Sequence, residues 1–131
     1  VGRFVRPETV TLTLEDGARV IVRRRLNTGQ QTARMVRMYA AGVDDPGKLT
    51  VKVFEVGRAT VLAYLLDWTL ADDDGELVPI RGISGDELEA VLDALAPDAF
   101  REVREAIEAH EAKETAARAA EKKTIRPGAI A

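Results

Sequence analysis

The stretch Thr9–Leu26, TVTLTLEDGARVIVRRRL, decides the fold class. Val10, Leu12 and Leu14 alternate with Thr9, Thr11 and Thr13, the period of a strand with one buried face. Asp16-Gly17 follows as a turn pair, with Gly17 free to take a positive φ. The chain then returns from Arg19 to Leu26, with Val20 and Val22 placed to share the inner face. This is a β-hairpin. Downstream the period lengthens, so the whole reads as α+β and predominantly helical: an N-terminal hairpin followed by four to five helices.

In Asn27–Gly42, NTGQQTARMVRMYAAG, Thr28 and Gln31 have capping-box spacing and Gly42 suits a helix stop. Met35, Val36 and Tyr39 form the expected inner stripe of this helix, with Arg34 and Arg37 on the solvent side. Leu49, Val51 and Val53 alternate like a strand, yet Val61, Leu62, Leu65 and Leu66 recur like a buried helix. A helix over 55–68 is expected, with 48–54 open between the two readings. Gly57 weakens its start. Ser84 with Glu87 is a second capping box, and Leu88, Val91, Leu92 and Leu95 complete an apolar helical face. Pro97 ends that helix and starts the next, whose inner stripe is Phe100, Val103 and Ile107. These two helices are expected to pack antiparallel. One globular domain therefore spans 1–110. Residues 111–131 form an alanine- and charge-rich helical extension, with Glu114 spaced to pair with Arg118, and an extended tail that contact with another chain would order.

The 131 residues carry a net charge of −3 and no cysteine, which removes disulfides, zinc–thiolate sites and thiol nucleophiles. No apolar run approaches the ~20 residues of a membrane span, and no signal peptide is visible. Charge is uneven. Residues 1–43 hold eight arginines against Glu8, Glu15 and Asp16, a net +5, so residues 44–131 carry −8. Such asymmetry steers a partner or arranges like subunits head to tail, or is only a solvated surface of uneven composition.

The three aspartates Asp72–Asp74 invite a metal reading, which fails on spacing. Setting Gly75 at position 6 of an EF-hand loop puts Leu70 at position 1 and Arg81 at position 12, and neither binds calcium. Asp and Gly here serve a turn. His110 continues the Phe100–Val103–Ile107 stripe and reads as a half-buried helix histidine. Ser84, the only serine, is occupied as a helix cap, so no Ser-His-Asp set can form. No cofactor motif is present, and the sequence reads as non-enzymatic. Trp68 reads as a core anchor, the alternative being an exposed contact for a partner. Arg23, Arg24, Arg25, Arg34 and Arg37 form a candidate basic patch. Strand alternation splits the first three, however, and no aromatics are interleaved with them, which argues against nucleic acid.

The order of elements resembles the tail assembly chaperones of long-tailed, siphovirus-like phages. The likeness rests on LTLEDGARVIVRRRLNTGQQ (12–31), VLAYLLDWTLADDDGELVPI (61–80) and LDALAPDAFREVREAIEAH (92–110), and covers roughly residues 9 to 110. It implies a protein of the host cytoplasm that binds tape-measure and tail-tube proteins during tail assembly and self-associates, without metal or catalytic residue. A longer frameshifted form often accompanies such genes. Rival readings are a permanent tail or neck component of the virion and a small DNA-binding regulator. In this division of labour Leu62, Leu66 and Trp68 hold the fold. Leu88, Leu92, Phe100, Ile107, Ile125 and Ile130 meet partners.

Overall fold

The computed structural model describes residues 2–41 and 47–125. In chain order the elements are β1 (Thr9–Thr13), β2 (Arg19–Arg23), α1 (Thr28–Met38), β3 (Tyr39–Ala41) and β4 (Leu49–Val51). They continue with α2 (Val53–Tyr64), β5 (Leu65–Trp68), α3 (Gly85–Asp93) and α4 (Pro97–Ile125). The fold is α+β, half helical, with the N-terminal hairpin and four helices.

β1 and β2 pair antiparallel with Leu12 opposite Val20 and Val10 opposite Val22. Gly17 takes φ 88° at the turn, and Asp16 Oδ1 accepts from the Ala18 N–H at 2.9 Å. Val20 and Val22 are completely buried. The free edge of β2 is taken by β5, so the sheet order is β1-β2-β5, all antiparallel, with a register shift at Ile21/Val22. This divides the helix expected over 55–68. α2 ends at Tyr64, and Leu65–Trp68 leaves it directly as a strand. VLAYLLDW fits either period. The open backbone edge of β2, whose Val20 and Val22 are buried, decides between them, because its N–H and C=O groups must be paired.

Helix α1 starts one residue earlier than its spacing suggested. Asn27 Oδ1 accepts from the Gln30 N–H and Gln30 Oε1 from the Asn27 N–H, each at 2.9 Å. Asparagine is the better cap, and Gln30 stands at the position a capping box requires. The helix ends at Met38, where Tyr39 turns into an extended ribbon of β3 and β4. Gly42 lies outside the described residues.

Below the sheet, α2, α3 and α4 enclose a core that includes Val61, Leu65, Trp68, Ile80, Leu92, Val103 and Ile107. The Trp68 indole N–H donates to the Val78 carbonyl at 2.6 Å, so this side chain is a satisfied core anchor. α4 packs chiefly on α2. Gly57 marks the crossing: a Cβ there would collide with the Arg104 side chain of α4. α4 runs unbroken from Pro97 past His110, so the expected boundary at 110 falls inside one helix.

Candidate interaction surfaces

Four of the five arginines in the expected basic patch are already occupied. From α1, Arg34 grips Glu111 of α4 with two bonds, 2.5 Å from Nη1 to Oε2 and 2.9 Å from Nη2 to Oε1. Its Nη2 also donates to Thr60 Oγ1 at 3.0 Å, and the Tyr64 hydroxyl donates to Glu111 Oε2 at 2.6 Å. Burial alone would raise the Glu111 carboxyl. The bonds from Arg34 and Tyr64 and the Arg34 charge outweigh it and hold that carboxyl below the usual glutamate range. Burial, and then the bond to this carboxylate, push the Tyr64 hydroxyl up, so it remains a donor.

One turn along α1, Arg37 meets Glu89 of α3 at 3.1 and 3.3 Å. Arg58 of α2 shares that carboxylate at 3.1 Å and also contacts Asp93. Arg23 donates to the Ala63 carbonyl at 3.0 Å, and Arg24 spans Glu8 at 2.7 Å and Glu114 at 3.3 Å. Glu114 therefore pairs with Arg24, at the end of the hairpin, instead of with Arg118, four residues along its own helix. Only Arg25 of the five is exposed with no ion pair among the described residues.

The inner face of α1 is thus its arginine face. Met35 is half exposed and Val36 is 71% exposed, the reverse of the expected stripe. The reason lies outside the helix, in the acids that α3 and α4 present to it. A hydrophobic period cannot register them.

The expected partner residues are mostly interior. Leu88, Leu92 and Ile107 are buried and Phe100 packs half-buried on the core. Ile125 ends α4, with its side chain outside the described residues, and Ile130 lies outside them altogether. His110 is buried, with Nε2 3.1 Å from the Arg24 carbonyl and its ring edge-on to Tyr64.

Exposed apolar side chains gather elsewhere. Where α1 runs into the ribbon and the ribbon into α2, Leu49 is 69%, Val53 74% and Phe54 98% exposed. Tyr39 stands opposite Val51 in the ribbon, and Leu49, two residues before Val51, lies on the same face. A two-stranded ribbon is marginal by itself. This one is continued by the Lys52 N–H bonding the Met38 carbonyl at 2.7 Å.

A second apolar feature is a groove of about 610 Å³ between the turn after β5 and α3. Trp68, Leu70, Val91 and Leu95 line it, with Asp72 and Asp73 also on its wall. The aspartates shape this wall as a turn. Asp72 Oδ1 accepts from the Asp74 N–H at 2.9 Å and the Glu76 N–H at 3.0 Å, Gly75 takes φ 80°, and Ala71 bridges Leu77. Among the described residues no three acidic or histidine side chains converge as a metal site, and no helix is long and apolar enough to cross a membrane. Comparison with family models, curated proteins and solved structures finds no match to this chain.

Proposed function

We propose that this chain is a non-enzymatic tail assembly chaperone of a siphovirus-like phage, holding tape-measure and tail-tube proteins before they assemble. The observation that carries the reading is the exposure of Leu49, Val53 and Phe54 where the ribbon runs into α2. Large apolar side chains grouped in solvent mark a surface for another protein. A chaperone presents such a surface and releases it, and needs no catalytic group. The pairing of Arg23, Arg24, Arg34 and Arg37 supports a protein partner over nucleic acid, since guanidiniums already bonded to carboxylates and carbonyls are poorly placed to neutralise phosphates.

The test is co-purification of the full chain with the tape-measure and tail-tube proteins encoded beside it. Retention of either, lost on Phe54→Asp with the melting temperature unchanged, is the expected result. Retention of neither overturns the reading. The same surface would serve a permanent tail or neck protein. That alternative predicts the chain in purified virions, from which a chaperone is absent.

A further inference from the structure

We propose that copies of this chain join head to tail, the segment Arg3–Arg6 of one copy seating in the groove between the Asp72–Gly75 turn and α3 of the next. The proposal does not depend on the tail-assembly reading. Phe4 is 93% exposed, although aromatic rings usually find burial. It borders a cleft whose other walls are mainly charged: Arg24, Glu114, Arg118 and Glu121. Arg3 and Arg6 flank it, both exposed and without an ion pair among the described residues. The segment is an apolar anchor between two free cations.

The groove is its complement. It is apolar along Trp68, Leu70, Val91 and Leu95, and its volume of about 610 Å³ accommodates an aromatic ring with a neighbouring valine. Its wall carries two carboxylates. Asp72 commits one oxygen to the turn, and Asp73 has no hydrogen bond or ion pair among the described residues. An arginine on each side of Phe4 meets acids beside an apolar slot, a match of charge as well as of shape.

The segment lies away from its own groove. Phe4 borders a cleft walled by Glu114, Arg118 and Glu121 of α4, whereas the groove touches α4 at Ala99. Glu114, the nearest of these to Ala99 in sequence, is fifteen residues from it, roughly 22 Å along the helix axis. The contact is therefore made between molecules. Because its two halves differ, each copy retains a free groove and a free segment, so association continues beyond a dimer into a ring or an open filament.

Sedimentation of the full chain over a concentration series at low salt tests this. The wild type should pass beyond dimer mass, with the onset moving to higher concentration as salt is raised. Phe4→Ala, which removes an exposed ring, and Ala94→Arg, which blocks the groove from an exposed position, should each raise the onset concentration at least tenfold. An equimolar mixture of the two variants has one competent segment and one competent groove, and should stop at a heterodimer. Independently, a peptide of residues 2–8 should shift the emission of Trp68, the only tryptophan, and the same peptide with alanine for Phe4 should not. Unchanged association in both variants, or no shift of Trp68 emission by the peptide, would overturn the proposal. So would association abolished by Phe54→Asp and untouched by Phe4→Ala, which would place the contact at the other end of the molecule.

Discussion

Arg34 and Glu111 show what an ion pair under partial cover contributes. Their side chains are 13% and 28% exposed, so screening is limited and each depends on the other. Arg34→Ala leaves Glu111 with only Tyr64 and should destabilise the fold by roughly 2–3 kcal/mol, below the full cost of orphaning a deeply buried charge. For a domain of this size that is about 6–15 °C in melting temperature. Replacing both partners, Arg34→Met with Glu111→Leu, should recover most of the loss, because no charge is then left unpaired. The pH dependence follows from the sign of the Glu111 shift. Its folded-state value lies below the unfolded one, so its contribution is complete above the unfolded range near 4.3 and vanishes as pH falls through the folded value. Chemical denaturation of the wild type and Glu111→Gln should therefore differ most above pH 5 and converge toward pH 3. A gap that widened in acid would contradict the assignment.

Among the elements, those governed by local chemistry were legible in the residues. The threonine-alternating hairpin, the Ser84 cap and the inner stripe Val103–Ile107–His110 all occupy the places their periods suggest. Two elements were not legible, for one physical reason: their partners are remote in sequence. β5 is a strand because β2, some 45 residues upstream, offers it an edge. α1 turns its arginines inward because Glu89 and Glu111 lie opposite them, 52 and 77 residues downstream. The candidate surfaces were hidden likewise, since exposure of Phe54 and the groove beside Trp68 depend on which elements meet. Met35→Lys with Val36→Lys gives the inverted helix a direct check. If the arginine face is inward, the double variant should change the melting temperature by less than about 3 °C, as surface substitutions do. A loss on the scale of a core substitution would restore the hydrophobic stripe as the inner face.

Over the whole molecule part of the uneven charge of the chain is taken up within it. Arg24 to Glu114, Arg34 to Glu111 and Arg37 to Glu89 each join the basic N-terminal third to the acidic remainder. Two of the three clamps end on α4 just beyond His110, at Glu111 and Glu114, and tie that turn of the helix to α1 and the hairpin. Arg3, Arg6 and Asp73 remain outside these clamps. Truncation distinguishes the two views of α4. Ending the chain after Arg118 keeps both clamp residues of α4, Glu111 and Glu114, and should leave the melting temperature within about 3 °C of the full chain. Ending it after His110 removes both glutamates, orphans Arg34 beside Thr60 and Tyr64, and leaves Arg24 with Glu8 alone. This shorter form should lose at least as much stability as Arg34→Ala, roughly 2–3 kcal/mol or more. Equal melting temperatures for the two truncations would mean that the clamps contribute nothing and that the body closes at His110.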